Sequence, residues 1–297
     1  MGYIIETNNL TKQFPNKLAV DHINMHIKRG DIYGFIGRNG AGKTTAMKLI
    51  LGLLNPTDGN IKLFDSDNLN SQRCKIGSLI EDPGLYKNAT AFENMKRFSI
   101  LYGGTDEDIK EILNLVGLGN TGNRKAGQFS LGMKQRLGIA IALLGNPEVL
   151  VLDEPINGLD PAGIKEVRDT ILKLNQEKGV TFLISSHILD ELAKITTTYG
   201  IINDGRLIEE IAADELMERC RTNLKIRVSD VNKAIEILTE NKYLNNYNSD
   251  SESITMYDNY EDSATINELL VKGGVKVFEL SPSNSGFEEY FIERIGH

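Results

Sequence analysis

A glycine-rich segment sets the frame for the rest of the chain, and it reads Gly37-Arg38-Asn39-Gly40-Ala41-Gly42-Lys43-Thr44. A short apolar run, residues 32–36, precedes this segment, and residues 44–54 repeat apolar side chains at helical spacing after it. Backbone N–H groups in such a loop can wrap phosphate oxygens at the N-terminus of the helix. The pattern, placed between a strand and a helix, fits a P-loop and predicts an α/β fold.

Each part of the P-loop pattern has a predicted role in binding a nucleoside triphosphate. The glycines permit a tight loop and a close approach of the phosphates. Lys43 supplies a point charge between the β- and γ-phosphates, Thr44 offers a hydroxyl to Mg²⁺, and Thr45 contacts the α-phosphate. The predicted contact residues are Gly37, Asn39, Gly40, Ala41, Gly42, Lys43, Thr44 and Thr45. The alternative is a chance glycine-rich turn.

A second motif ends an apolar run, and it reads Val149-Leu150-Val151-Leu152-Asp153-Glu154. A buried strand that ends in two carboxylates holds them rigidly near a metal ion. The expected division is that Asp153 holds Mg²⁺ and that Glu154 polarises the attacking water as the catalytic base. Taken alone, the pair could also be two solvated acids at the start of a loop.

A third segment opens an apolar helix and reads Phe129-Ser130-Leu131-Gly132-Met133-Lys134-Gln135-Arg136. Together with the first two motifs, it resembles the signature of ATP-binding cassette (ABC) proteins. The resemblance implies that two copies, or two close paralogues, sandwich ATP and that Ser130 and Gly132 contact the partner's nucleotide. Family members usually read Leu-Ser-Gly-Gly-Gln, so Leu131 and Met133 depart from the pattern. Locally, Ser130 is also a preferred helix N-cap.

Three further positions match the ABC pattern, and each also has a purely structural reading. Asp160, in Asn157-Gly158-Leu159-Asp160, would contact the dimer partner, or it would cap the helix that begins at Pro161. His187 follows an apolar strand at the family's switch position, where it would contact the γ-phosphate and hold the water. Phe14 lies where the family carries an aromatic that stacks on adenine, although it could be a core residue.

Glu81 is the most unusual position, because ABC ATPases generally carry Gln there, near Mg²⁺ and the water. A glutamate at this place, within the run Gly77–Tyr86, resembles the bacitracin-resistance and lantibiotic-immunity branch of ABC exporters. The resemblance implies that Glu81 joins Thr44 and Asp153 as a metal ligand. The alternative is an ordinary loop acid. The loop that follows, through Asn94, would receive the membrane subunit.

Composition and pattern predict two domains. The chain has 297 residues, 40% apolar and 25% charged, as in ordinary globular proteins, and its net charge of −8 argues against nucleic-acid binding. Residues 1–215 would form the ABC ATP-binding domain, with antiparallel strands at 3–9 and 18–27. A helical subdomain would cover residues 88–145, and residues 216–297 would form a small α+β appendage with a strand–helix–strand–helix–strand–helix order.

The location and the partners follow from absences and from the resemblance. The only cysteines are Cys74 and Cys220, and their spacing is not that of zinc ligands. The N-terminal residues lack the basic segment and apolar run of a signal peptide. The apolar stretch 137–152 is too short to span a bilayer. We therefore expect a cytoplasmic ATPase held at the inner face of the membrane by a separate multi-spanning subunit.

The resemblance implies ATP hydrolysis coupled to transport, with a bacitracin- or lantibiotic-type peptide as the cargo. Two alternatives stay open: a soluble ABC-type ATPase switch that is not coupled to transport, and a transporter ATPase for another cargo. The predicted fold class is an α/β P-loop ABC-type ATPase with N-terminal antiparallel strands, a helical insert and a small α+β appendage.

Overall fold

A computed structural model describes residues 2–220, 223–283 and 287–295. The chain divides into two compact units, Met1–Ala213 and Asp214–His297. The strands of the first unit are β1 (Tyr3–Phe14), β2 (Lys17–Ile23), β3 (His26–Lys28), β4 (Ile32–Ile36), β5 (Asp58–Leu63), β6 (Ile76–Leu79), β7 (Val149–Asp153), β8 (Thr181–Ser186), β9 (Thr198–Asn203) and β10 (Arg206–Ala212). Its helices are α1 (Lys43–Ile50), α2 (Leu69–Arg73), α3 (Ala91–Tyr102), α4 (Asp106–Leu115), α5 (Leu131–Ala142), α6 (Pro161–Lys178) and α7 (Leu189–Leu192).

An antiparallel sheet forms around β1, which pairs with β2, β3 and β5. The prediction ended β1 at residue 9, but the strand continues to Phe14, because its first part pairs with β3 and its second part with β2. The predicted single strand 18–27 is two strands instead. Asn24 and Met25 separate them, and each of the two strands pairs with a different part of β1.

A six-stranded sheet, in the order β10-β9-β4-β8-β7-β6, forms the centre of this unit. All neighbours are parallel except β10, which returns antiparallel along β9. Every residue of β4, β7 and β8 is buried, as expected for parallel strands covered on both faces. The carboxyl ends of these strands lie at one edge of the sheet, so the segments that follow them gather there.

Three helices fill most of the predicted helical region. Thr90 and Glu93 form a capping box at the start of α3, and Thr105 and Asp108 form another at α4. Ser130 caps α5 by accepting a hydrogen bond from the Met133 N–H at 3.2 Å. These caps satisfy N–H groups that would otherwise lack partners, and they fix where each helix begins.

The second unit, among the residues that the structure describes, has an α+β architecture of one four-stranded sheet and four α-helices. Its elements are α8 (Ala213–Arg219), β11 (Asn223–Val228), α9 (Val231–Glu240), β12 (Tyr247–Ser249), β13 (Ser253–Met256), α10 (Ser263–Lys272), β14 (Val277–Ser283) and α11 (Phe287–Ile295). The sheet is antiparallel in the order β12-β13-β11-β14. Apolar residues of β11 and β13, among them Leu224 and Ile254, form a core with Leu238 of α9 and Ile266 of α10.

Candidate nucleotide-binding site

The glycine loop joins β4 to α1 and leaves the first turn of the helix open. Gly42 is the N-cap of α1, with a φ of 110°, and a Cβ at this position would lie 2.4 Å from the Ala19 carbonyl oxygen. Only glycine fits this conformation and this contact. Because Gly42 has no side chain, the N–H groups of the first turn of α1 remain available to an anion.

A cavity of about 300 Å³ opens over this loop. The residues that line it are Phe14, Lys17, Ala19, Arg38, Asn39, Gly40, Gly42, Lys43, Thr44, Thr45 and Glu154. Of the predicted P-loop residues, Gly37 and Ala41 lie behind the lining. The predicted contacts Ser130, Gly132 and Asp160 are not in the lining either.

Lys43 is almost fully buried, and its ammonium group is held by the loop itself. Its Nζ donates to the Gly37 carbonyl oxygen at 2.5 Å and lies 3.4 Å from Glu154 Oε1. A buried ammonium needs such partners, because an unpaired charge away from water is costly. The contact with Glu154 brings together the predicted phosphate-binding cation and the predicted base.

Thr44 and Asp153 meet across the same space. The Thr44 hydroxyl donates to Asp153 Oδ2 at 2.7 Å, and the Ser185 hydroxyl donates to Asp153 Oδ1 at 2.5 Å. Hydroxyl and carboxylate oxygens are ligands that suit Mg²⁺, which commonly takes one or two carboxylates and completes its shell with phosphates and water. Nowhere in residues 2–220, 223–283 and 287–295 do three acidic, histidine or cysteine side chains gather into a protein-only metal site.

Glu154 follows β7 in a left-handed backbone conformation, with a φ of 49°. Its N–H donates to the Ser185 side-chain and backbone oxygens, at 2.9 and 3.2 Å. Its side chain accepts from His187 Nδ1 at 2.7 Å. A carboxylate can only accept, so the Nδ1 atom of His187 carries the proton in this contact. The structure thus brings Glu154, His187 and Lys43 into one group.

Glu81 lies two residues beyond β6, at the edge of the sheet where the other site residues gather. Its side chain is 68% exposed and forms an ion pair with Lys48 of α1, with 2.7 Å between Nζ and Oε1. The structure therefore brings Glu81 to the helix that follows the P-loop and does not gather it with the carboxylates of Asp153 and Glu154.

The Ser130 segment, residues 129–136, lies at the N-terminus of α5. Leu131, which departs from the family pattern, is 48% exposed and lies over Gly158, where a Cβ would be 3.4 Å from Leu131 Cδ2. Met133, the second departure, accepts a hydrogen bond from Arg124 through its sulfur at 3.7 Å. The segment is therefore anchored within its own chain on both sides of Gly132.

For Asp160 and Phe14, the sequence left a functional and a structural role open, and the structure shows the local position of each side chain. Asp160 caps α6 by accepting from the Gly163 N–H at 3.3 Å. Phe14 is 36% exposed on the cavity wall, with Lys12 Nζ 5.3 Å from its ring centroid, so it is not a core residue. An exposed aromatic ring at the mouth of a cavity can stack on a planar base.

Three residues of the site were not predicted. Lys17 donates to the Gly40 carbonyl oxygen at 3.1 Å and, like Arg38, adds positive charge to the cavity wall. Arg38 lay within the quoted P-loop and could have been taken from its position. Ser185 lies inside an apolar strand, and a hydroxyl among such neighbours was the available signal that something polar lies beside it.

A charged cluster supports the strands next to the P-loop. Asp21 of β2 accepts from His22 Nδ1 and from Arg206 Nε, both at 2.5 Å, and its N–H donates to the Gly205 carbonyl oxygen. The hydrogen bonds from His22 and Arg206 hold the pKa of the Asp21 carboxyl below its ordinary value of 3.8. This cluster joins β2 to the β9–β10 hairpin.

Comparison with known proteins gives concordant matches. The family model described as ABC transporter matches residues 20–157. The bacitracin transport ATP-binding protein BcrA of Bacillus licheniformis is 43% identical over 100% of this chain and 98% of its own length. The lantibiotic transport ATP-binding protein SrtF of Streptococcus pyogenes is 45% identical over 70% of this chain and 90% of its own. The dimeric post-hydrolysis state of the cassette MJ0796, bound to ADP and Pi, superposes with a TM-score of 0.62 at 27% identity, over 70% of this chain and 98% of that one.

Proposed function

The chain belongs to the family of ABC transporter ATP-binding proteins, which bind and hydrolyse ATP to power transport, and from this premise we propose that it drives removal of a peptide antibiotic. The proposed cargo is of the bacitracin or lantibiotic type. A separate membrane subunit would carry it out of the cell or clear it from the membrane. The alternative of an ATPase switch without a membrane partner has no observation of its own in its favour.

One observation carries the cargo proposal: the similarity to the bacitracin transport protein extends over the whole chain. The aligned region includes the α+β unit after residue 213, not only the nucleotide-binding unit that ABC proteins share. Glu81, which resembles the peptide-antibiotic branch, adds a feature within the nucleotide-binding unit itself. The match to the lantibiotic transport protein supports the same class of cargo.

The contacts of Lys43 support a role in which its ammonium exchanges the Glu154 carboxylate for the phosphates of ATP. Its ammonium lies 3.4 Å from Glu154 Oε1. The phosphates of ATP would take this place, together with the open N–H groups at the start of α1. Phe14 would stack on the adenine at the cavity wall, and Thr45 would contact the α-phosphate. Binding of ATP would thus release Glu154 from Lys43.

Glu154 would then act as the general base. Its other hydrogen bond, from His187 Nδ1 at 2.7 Å, orients the carboxylate. His187 would contact the γ-phosphate through its other ring nitrogen when that nitrogen also carries a proton. A positioned base of this kind contributes about 100-fold to 10,000-fold in rate. The proton of the attacking water would pass to a Glu154 oxygen as the water oxygen bonds to the γ-phosphorus. The bond from that phosphorus to the β,γ-bridging oxygen would break in the same step, with ADP as the leaving group.

Thr44 and Asp153 are the residues proposed to hold Mg²⁺, on their 2.7 Å contact and on the oxygen character of both ligands. When bound, the ion would neutralise charge on the phosphates during transfer. Glu81 is proposed to join this site only after it exchanges Lys48 for the metal, since its carboxylate is paired with that lysine here.

A second ATP-binding chain is proposed to complete the site. Ser130 and Gly132 would reach the nucleotide of the partner, since they are not in the lining of their own chain's cavity. Proteins of this family work with membrane permeases and dimerise, as in the dimeric MJ0796 cassette. Asp160, at the start of α6, would contact the partner near its Ser130 segment.

The membrane subunit is proposed to be a separate chain. No helix among the residues that the structure describes is long and apolar enough to cross a bilayer. The proposal places this chain at the inner face of the membrane through that partner, with the loop between β6 and α3 as the receiving surface.

Growth in the presence of antibiotics tests the proposal. Cells that carry the membrane subunit but lack this chain would receive either the wild-type chain or Glu154→Gln, at equal expression. We expect only the wild type to raise the inhibitory concentration of bacitracin or of a lantibiotic, while a non-peptide antibiotic is unaffected. Equal sensitivity of both strains to every peptide would overturn the cargo proposal and leave the ATPase assignment intact.

A further inference from the structure

We infer that Ser185 is a positioning residue for ATP hydrolysis, because one hydroxyl group holds both Asp153 and Glu154 in place. The inference rests on the roles proposed above for these two carboxylates. Ser185 lies in β8 directly beside Asp153 in the parallel register and is fully buried. Its neighbours before it in the strand, Leu183 and Ile184, are apolar and buried.

The direction of both hydrogen bonds is fixed by chemistry. A serine hydroxyl has one proton to donate and two lone pairs that accept. The Glu154 N–H can only donate, so the Ser185 oxygen accepts from it at 2.9 Å. The hydroxyl proton is then free for Asp153 Oδ1, at 2.5 Å. Both hydrogen bonds of this buried hydroxyl therefore go to Asp153 and Glu154.

The hydrogen bond from Ser185 gives the two carboxylate oxygens of Asp153 different partners. Ser185 occupies Oδ1 on the buried side, while Oδ2 faces Thr44 at 2.7 Å. Rotation of the carboxylate would break both bonds, so Oδ2 is kept pointing at the place where Thr44 could share a cation. Residues that orient a metal ligand in this way typically change metal affinity or activity about 10- to 100-fold when they are removed.

The bond to Glu154 supports an unfavourable backbone conformation. A non-glycine residue with a φ of 49° needs surrounding contacts to persist. The Ser185 hydroxyl and carbonyl oxygens both accept from the Glu154 N–H. This arrangement turns the side chain toward Lys43 and His187, which it contacts at 3.4 and 2.7 Å. Without the hydroxyl, only the longer bond to the carbonyl remains.

Nucleotide binding with and without metal separates a positioning role from a structural one. Isothermal titration would measure the affinity of purified Ser185→Ala for ADP in EDTA and then in Mg²⁺. We expect the affinity in EDTA to equal that of the wild type, because Lys43 and the loop are untouched. The gain on adding Mg²⁺ should fall about tenfold, and ATP turnover about 10- to 100-fold. Ser185→Thr, which keeps the hydroxyl, should restore both.

Thr181→Val is the matched control, since it removes another fully buried hydroxyl from the same strand. Thr181 Oγ1 accepts from the Gly30 N–H at 2.9 Å and does not contact the carboxylates. This variant should keep the Mg²⁺ gain and the turnover.

Two results would overturn the inference: an unchanged Mg²⁺ gain and turnover in Ser185→Ala, or a parallel loss of metal-free affinity in Ser185→Ala and Thr181→Val. Wild-type turnover by Glu154→Gln would instead overturn the role of the base, on which the inference depends.

Discussion

The first turns of α1 and α5 use the same local device, a helix N-terminus, but they differ in what surrounds it. At α1 the cap is Gly42, without a side chain, and the buried Lys43 lies next to Glu154. At α5 the Ser130 hydroxyl takes up the Met133 N–H, and the next residue, Leu131, is half exposed. In the proposed function, one chain therefore carries all of the phosphate site at α1 and only one side of a site at α5.

We propose that this difference is the reason why two chains act together. The P-loop side supplies charge, a base and oxygen ligands that hold one another in place. The Ser130 side supplies a capped helix end and a contact with Gly158 of the loop before α6. We expect nucleotide binding from the P-loop side alone, whereas hydrolysis is proposed to require both sides.

Glu154→Gln should give the largest effect, because it removes the base from the P-loop side and leaves the fold and Lys43 unchanged. We expect turnover to fall about 1,000-fold, while ATP still binds and the dimer persists. Phosphate release and size-exclusion chromatography with ATP would measure the two properties. Turnover near that of the wild type would remove Glu154 from its role.

Ser130→Ala should separate the two sides. Its own cavity lacks Ser130, so affinity for ADP should not change. Turnover should fall about tenfold or more, because a hydrogen bond to a charged phosphate is lost. Thr105→Ala is the control, since it loses an equivalent cap at 3.2 Å on α4, worth about 1 kcal/mol of stability. A loss of ADP affinity in Ser130→Ala would contradict the division of labour.

Glu81→Gln should have a smaller effect. The ion pair with Lys48 is largely exposed on the Glu81 side, so we expect little change in stability. Turnover should survive, while the Mg²⁺ concentration for half-maximal activity rises, since a neutral amide is a weaker ligand than a carboxylate. Lys48→Met breaks the same pair but keeps the acid, and it should not raise the requirement. Identical metal titrations for wild type and Glu81→Gln would show that Glu81 has no role in binding Mg²⁺.

Asp21→Asn should have the smallest effect, on stability alone. The pKa of Asp21 is lowered in the folded chain, so its ion pairs stabilise the fold at pH values above 3.8, the ordinary pKa of this carboxyl. This contribution is lost as the pH falls through the folded pKa. The melting temperature of Asp21→Asn should therefore lie below that of the wild type at neutral pH, and the gap should narrow as the pH falls below 3.8. A constant gap would mean that Asp21 acts by packing alone.

The sequence predicted best where the chemistry is local. The P-loop, β4, β7 and the cap at Ser130 follow from glycine geometry, continuous apolar runs and side-chain capping, each of which lies within a few residues. The break between β2 and β3, at Asn24 and Met25, could not be predicted, because it depends on how the two strands pair with different parts of β1. The longer β1 was hidden by its polar residues, which face two different partner strands.

Contacts between segments that are distant in the sequence also could not be predicted. Lys48 lies 33 residues before Glu81, and only the fold brings the two together. The same holds for Ser185 with Asp153 and Glu154, which become neighbours through the parallel register of β7 and β8. The motif positions alone indicated which residues share a site, but not which groups hold them there.

We propose that one chain carries a nucleotide-binding site and that two chains together make a catalytic site. The most direct measurement is ATP turnover per chain as the protein is diluted, with the fraction of dimer followed by mass photometry in the same samples. We predict that turnover per chain falls in parallel with the dimer fraction, while ADP binding per chain stays constant. Turnover per chain that stays constant after the protein has become monomeric would contradict the account.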